Sequence, residues 1–140
     1  MGDDKINYSK YAYYMLNKPD GYVSATEDNV YPTVIDLIKE YHPGLFPVGR
    51  LDVDTEGLLL ITNDGQLAHR LLSPRTHVPK TYYVKVKGRL GIWYINAFTK
   101  GIRLEDFTCM PSYLNINKSD EISEWEVTIY ECKFNKVKIM

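Results

Sequence analysis

The sequence predicts an α+β fold, a mixed and largely antiparallel sheet with helices packed on it. Short segments rich in β-branched and aromatic residues are typical of strands, and longer segments with apolar residues on one face are typical of helices. These segments are mixed along the chain and joined by short connections, with no internal repeat or low-complexity linker. The 140 residues are 44% hydrophobic, which is enough for one domain with a buried core.

The first half of the chain predicts strands and helices from local signals. Thr33 and Asp36 resemble a capping box at the start of a helix that Pro43 and Gly44 end. A second helix follows an Asn-Asp-Gly turn, with Asp64 as its N-cap. Residues 1–10 are polar and predicted to be frayed. The predicted strands are 11–16, 22–25, 45–48 and 57–62, and the predicted helices are 33–42 and 66–72.

The second half begins with an alternating segment rich in Tyr and Val, which predicts a strand at 81–87. A third helix is predicted at 90–100, followed by Gly101 at the position where helices commonly end on a glycine. Alternation in the last segment places Trp125, Val127 and Ile129 on one strand face. The remaining predicted strands are 102–104, 113–116 and 125–134.

Composition narrows the classes of function. The chain has no signal peptide or long apolar segment, so we expect a soluble cytoplasmic protein without membrane contact. Its two cysteines form no CxxC pattern, and its three histidines lack ligand spacing, so no metal site is expected. The formal net charge of -1 is compatible with nucleic-acid binding, which depends on where the basic groups lie.

A polar loop between two predicted strands is the first candidate site. It runs from Arg50 to Glu56 and contains Asp52 and Asp54. In an extended stretch residues 52, 54 and 56 would share one face, where their carboxylates would repel and require nearby cations such as Arg50. Asp52 is therefore a candidate nucleophile or base. In the alternative interpretation Asp52 caps a turn and Asp54 binds a backbone amide.

Charged side chains are segregated along the sequence. Acidic residues gather at 120–126, and basic residues gather after the second helix and at the C-terminus. Such segregation suits a surface that binds phosphate, although ordinary solvated faces explain it equally well. Tyr82 and Tyr83 lie within the basic region, and either could stack on a base or belong to the core. The basic residues include Arg70, Arg75, His77, Lys80, Lys133, Lys136 and Lys138.

Three segments in succession resemble motifs of the RNA pseudouridine synthases: NKPDGYVS at 17–24, GRLDVDTEGLLL at 49–60 and KTYYV at 80–84. A further segment, HRLLSPR at 69–75, makes the resemblance closest to the small-subunit rRNA type, the RsuA family. The similarity extends from about residue 11 to the end of the chain. The second segment is long and specific, far more so than a lone glycine-rich loop.

The resemblance implies an isomerase that converts a specific uridine to pseudouridine in ribosomal RNA, namely small-subunit 16S rRNA, or in a pre-ribosomal particle. Asp52 matches the catalytic aspartate, a nucleophile that attacks either the ribose or the base. Tyr82 matches the tyrosine that stacks on the target base and removes a proton late in the reaction. Lys138 matches the cation that pairs with the aspartate. No metal or organic cofactor is implied, and the RNA-binding residues would be Lys18, Arg50, Arg70, Arg75 and Lys80.

The end of the chain departs from the family pattern. In the fourth motif, residues 131–140, Cys132, Asn135, Lys136 and Ile139 differ from the family residues. The family's S4-type RNA-binding domain and the elements beyond the fourth motif are not found, so we expect an incomplete catalytic domain at 11–140. Two alternatives follow. One is a degenerate relative that binds RNA without catalysis, and the other is a small-molecule hydrolase that uses Asp52 with Asp54.

Overall fold

The computed structural model describes residues 10–73, 75–76, 78–103 and 111–130. These residues form six strands, two α-helices and one short 3₁₀ helix, divided into two compact units that meet in sequence between Leu72 and Ser73. Both sheets are antiparallel and both units contain helix, which confirms the predicted α+β class. No helix within the described ranges is long and apolar enough to cross a membrane.

The first unit contains a three-stranded sheet in which β3 is central. Its strands are β1 (Tyr13–Lys18), β2 (Phe46–Val48) and β3 (Gly57–Thr62), in the order β1-β3-β2. The prediction for β3 is confirmed at both ends, whereas β1 begins and ends two residues later than predicted. At the predicted strand 22–25, Val23 makes only an isolated parallel bridge with Thr33.

One face of this sheet carries the core of the first unit. Leu59 and Ile61 of β3 are buried there together with Val34 and Leu45. The 3₁₀ helix, Val34–Leu37, supplies Val34 and covers this face. The opposite face of β3 is only partly open to solvent, since Leu58 is 65% exposed whereas Thr62 at the end of the strand is buried.

The predicted helix at 33–42 is wrong beyond residue 37. Its start is as predicted, because the Asp36 carboxylate accepts a hydrogen bond from the Thr33 N–H at 2.8 Å. Ile38 is extended, with φ -88° and ψ 114°. Further along, the Tyr14 hydroxyl donates to Glu40 at 3.0 Å, so this segment is bound to β1. A helix this short is marginal by itself, and tertiary contacts decide its length.

The helix α1, Gly65–Leu72, begins one residue before the predicted start at 66 and ends where predicted. Asp64 is its N-cap, because the Asp64 carboxylate accepts the Leu67 N–H at 3.1 Å. The Tyr13 hydroxyl also donates to this carboxylate, at 2.6 Å. These hydrogen bonds, the one from Tyr13 first, hold the pKa of Asp64 below its usual range. The cap therefore also attaches α1 to the edge strand β1.

The second unit is a second antiparallel sheet covered by one helix. Its strands are β4 (Lys80–Lys87), β5 (Tyr113–Lys118) and β6 (Ile122–Ile129), in the order β4-β6-β5. The helix α2, Ile92–Lys100, contributes Phe98 to the core and ends at Gly101 with φ +93°, as predicted. The other buried core residues are Leu114, Trp125, Val127 and Ile129.

The alternation predicted for the last strand is confirmed, because Trp125, Val127 and Ile129 share the buried face of β6. The strand begins at Ile122, earlier than predicted, and the predicted extension over 131–134 lies outside the described residues. Of the predicted strand at 102–104, residues 102 and 103 belong to none of the six strands. Residue 104 lies outside the described residues.

Adjacent leucines on β3 provide a test of which sheet face holds the core. Leu59→Ala should lower the free energy of unfolding by about 2–5 kcal/mol, because it leaves a cavity in the buried cluster. Leu58→Ala is the matched control, and it should change the free energy of unfolding by less than about 0.5 kcal/mol. Urea unfolding measures both. Equal losses would contradict the assignment of the two faces.

Candidate active site

The polar loop joins β2 to β3, two antiparallel neighbours in one sheet. Both of its ends are therefore fixed by strand pairing. Asp52 lies at the start of a turn, in which its carbonyl accepts the Thr55 N–H at 3.0 Å. The turn replaces the extended arrangement in which residues 52, 54 and 56 would share one face. Asp52 is half-buried, whereas Asp54 and Glu56 are exposed.

The segment after β1 packs against this loop, so two of the sequence motifs form one structure. Gly21 donates its N–H to the Val53 carbonyl at 2.9 Å. Gly21 has φ +92°, a conformation that favours glycine, so another residue would be strained here. The NKPDGYVS segment therefore supports the backbone of the loop that carries Asp52.

Lys18, the last residue of β1, is the centre of this support. Its side chain is fully buried, with 0% exposure. Its ammonium donates three hydrogen bonds to backbone carbonyls, those of Pro19 at 3.0 Å, Val53 at 3.0 Å and Thr55 at 2.7 Å. An ammonium has three donors, and all of them are used here. The prediction that Lys18 binds RNA is therefore wrong, because a phosphate cannot reach a group enclosed by carbonyls.

The buried ammonium also lies in the field of the acidic loop. Burial lowers the pKa of Lys18 below its ordinary value, and the nearby carboxylates oppose this shift by favouring the charged form. The cation in turn offsets the mutual repulsion of those carboxylates, a role that the sequence suggested for cations such as Arg50. The carboxylates are those of Asp20, Asp54, Glu56 and Asp52, in order of decreasing effect.

The two adjacent tyrosines of β4 point to opposite faces of the second sheet. Tyr82 pairs with Val127 and packs against the hydrophobic core of the second unit. Tyr83 is 57% exposed on the other face, where its hydroxyl donates to Glu124. This hydrogen bond raises the pKa of Tyr83 and lowers that of Glu124. Asp52 belongs to the first unit and Tyr82 to the second, and the role of Tyr82 with Asp52 stays a prediction.

The other predicted RNA-binding residues are surface cations in both units. Arg50 is exposed beside Asp52, and Arg70 is exposed near the end of α1. In the second unit Arg75 is exposed, and Lys80 is half-buried and donates to the Val78 carbonyl at 3.2 Å. Their contacts with RNA stay predictions. Lys138, like the rest of the fourth motif, lies outside the described residues.

The described residues contain no group of three or more His, Cys, Asp or Glu side chains placed to hold a metal ion. The loop presents the half-buried carboxylate of Asp52. Its backbone is held at both ends by strand pairing and between them by Lys18 and Gly21. This arrangement can present a nucleophile, because Lys18 and Gly21 hold the loop through its backbone carbonyls.

A substitution of Lys18 tests whether it supports the fold or binds RNA. Lys18→Met should lower the free energy of unfolding by more than about 2 kcal/mol, because three carbonyls lose their donor. Lys39→Met, an exposed lysine of the same unit, should have almost no effect. Urea unfolding measures both. An unchanged stability together with weaker RNA binding would restore the original assignment.

Comparison with known proteins places this geometry in a family. A family model described as RNA pseudouridylate synthase matches residues 12–139. The chain is 45% identical over 141 residues to a Bacillus subtilis protein named "Uncharacterized RNA pseudouridine synthase YtzG", covering 98% of this chain and 59% of that protein. It is 40% identical over 132 residues to "Ribosomal small subunit pseudouridine synthase A" of Escherichia coli K12, covering 91% and 55%.

Two further matches agree with these. "Ribosomal large subunit pseudouridine synthase B" of Bacillus subtilis is 36% identical over 140 residues, covering 97% of this chain and 57% of that protein. A crystal structure of a pseudouridylate synthase superposes with a TM-score of 0.82 at 38% identity, covering 92% of this chain and 55% of that one. The chain thus spans a little over half the length of these relatives, and it belongs to the RNA pseudouridine synthase family.

Proposed function

We propose that this protein isomerises a uridine of ribosomal RNA to pseudouridine, with Asp52 as the nucleophile. The observation that carries the proposal is the loop between β2 and β3, where Asp52 begins a turn held by Lys18 and Gly21. Relatives named as ribosomal pseudouridine synthases support the substrate class.

The proposed reaction breaks the bond between the ribose and a uracil nitrogen and makes a bond to a uracil carbon. The Asp52 carboxylate forms a covalent intermediate and later leaves, which splits one difficult step into two easier ones. The proton on the newly bonded carbon is then removed, and the proposed base is Tyr82. Substrate and product have the same atoms and the same oxidation state, so the reaction consumes no redox partner.

Access to the uridine requires that it leave its stack, which costs a few kcal/mol and is offset by contacts in the site. Arg50 is exposed beside Asp52 and is proposed to hold the RNA there. Arg70, Arg75 and Lys80 are proposed to bind backbone phosphates, which would make affinity depend on salt concentration. Lys138 is proposed as the cation that pairs with Asp52.

Within ribosomal RNA, we propose small-subunit 16S rRNA as the specific substrate. Its support is the 40% identity with several small-subunit synthases, against 36% with a large-subunit synthase. The competing proposal is a relative that binds RNA without catalysis, and four altered residues within 131–140 favour it. A hydrolase that acts on a free nucleoside is the third and weakest candidate.

Substitution of the nucleophile tests the function directly. Asp52→Asn should keep the fold and abolish pseudouridine formation, because an amide cannot act as the nucleophile. Asp54→Asn is the matched control in the same loop, and it should retain activity because Asp54 is exposed and outside the proposed chemistry. The substrates are unmodified small-subunit rRNA, large-subunit rRNA and nascent particles, with pseudouridine mapped by carbodiimide reactivity.

The possible results of this assay distinguish the candidate functions, the nucleophile and the target RNA. Activity retained in Asp52→Asn would remove Asp52 as the nucleophile. RNA binding by the wild-type chain without product would favour the non-catalytic relative. Turnover of a free nucleoside would favour the hydrolase. Product confined to large-subunit rRNA would keep the isomerase and reject the 16S target.

The tyrosine pair of β4 provides a second test. Tyr82→Phe keeps the ring that packs in the core but removes the hydroxyl, and it should lower kcat by about 10²-fold or more. Tyr83→Phe is the matched control, since its hydroxyl binds Glu124 on the other face, and its kcat should stay within about twofold. Single-turnover kinetics measure both variants. Equal rates in the two would exclude Tyr82 as the base.

A further inference from the structure

Ser24 is a buried polar residue that makes both of its hydrogen bonds to one backbone residue. Its side chain is 4% exposed. The Ser24 hydroxyl donates to the Leu51 carbonyl at 2.8 Å and accepts the Leu51 N–H at 3.1 Å. Leu51 immediately precedes Asp52, so this one oxygen atom holds the residue on the N-terminal side of the proposed nucleophile.

The peptide that joins Leu51 to Asp52 is thereby fixed in orientation. The carbonyl that Ser24 binds belongs to that peptide, and a peptide unit is planar. Holding its carbonyl oxygen therefore fixes the direction of the Asp52 nitrogen and the position of the Asp52 Cα. The side chain of Leu51 is held as well, since it packs against the hydrophobic cluster of the first unit.

The other side of Asp52 is held independently. Val53 accepts hydrogen bonds from the Gly21 N–H and the Lys18 ammonium. Asp52 thus lies between two residues whose carbonyls are each bound by the segment that follows β1. The hydroxyl of Ser24 is the side-chain contact on the N-terminal side, and the ammonium of Lys18 is the side-chain contact on the C-terminal side.

We propose that Ser24 is a positioning residue for Asp52, holding the peptide between residues 51 and 52 so that the carboxylate is presented in the orientation needed for attack. The proposal rests on the proposed function of Asp52. The orientation matters because a nucleophile displaced by about 1 Å can lose about 10²-fold in rate. Ser24 itself does not touch the reacting atoms.

The chain offers a matched control for the loss of this hydroxyl. Thr62, also in the first unit, is 1% exposed. Its hydroxyl donates to the Ala12 carbonyl at 2.6 Å and accepts the Asp64 N–H at 3.0 Å. Ser24→Ala and Thr62→Val thus each remove a buried hydroxyl that bonds one backbone donor and one backbone acceptor. Only the first of these hydroxyls contacts the loop.

Kinetics of the full chain with unmodified rRNA separate positioning from general stability. Both variants should lower the urea midpoint by similar amounts. Ser24→Ala should lower kcat about 10- to 100-fold with KM within about threefold, whereas Thr62→Val should keep kcat within about twofold. Ser24→Thr, which restores the hydroxyl, should recover at least about half of the loss in log kcat. Equal kcat in Ser24→Ala and Thr62→Val would overturn the proposal.

Amide hydrogen exchange tests the same contact without turnover. Ser24→Ala should speed exchange of the Leu51 N–H at least about tenfold relative to Thr62→Val, because that N–H loses its acceptor. Unchanged exchange at Leu51 would overturn the proposal. If the wild-type chain forms no pseudouridine while Leu51 exchange responds as expected, the proposed function fails and Ser24 remains the residue that orients the loop.

Discussion

The buried ammonium of Lys18 is the interaction on which the candidate site depends. A lysine enclosed in a protein interior is costly unless its charge and all of its donors are satisfied. Here the three donors bind three carbonyls, two of them in the loop that carries Asp52. The lysine therefore joins the end of β1 to the loop, and the nucleophile candidate is held by an edge strand of the sheet.

This arrangement also explains how an acidic loop is stable. Asp52, Asp54 and Glu56 lie within five residues of one another, and like charges at that spacing repel. A cation beneath the loop offsets this repulsion without occupying the surface. Arg50 is exposed, and the role that we propose for it is to bind RNA.

Backbone support and chemistry are divided among different residues. Lys18, Gly21 and Ser24 bind main-chain groups of the loop, and none of them needs to contact a substrate. Such a division suits a loop site, because a loop becomes precise only when its backbone is held by neighbouring elements. The second unit shows a related division within one strand, since Tyr82 packs in the core while Tyr83 binds Glu124 at the surface.

The sequence by itself determined what depends on neighbours in the chain: the bounds of β3, the cap of α1 at Asp64, the glycine that ends α2 and the alternation of β6. It also determined the candidate nucleophile, because the loop motif is long and specific. Tertiary structure decided the short helix at Val34–Leu37, where contacts with β1 replace the later turns. It likewise decided that Lys18 supports the loop, because its partners at Val53 and Thr55 lie 35 and 37 residues further along the chain. No local pattern contains that information, since a lysine at the end of a strand can equally extend into solvent.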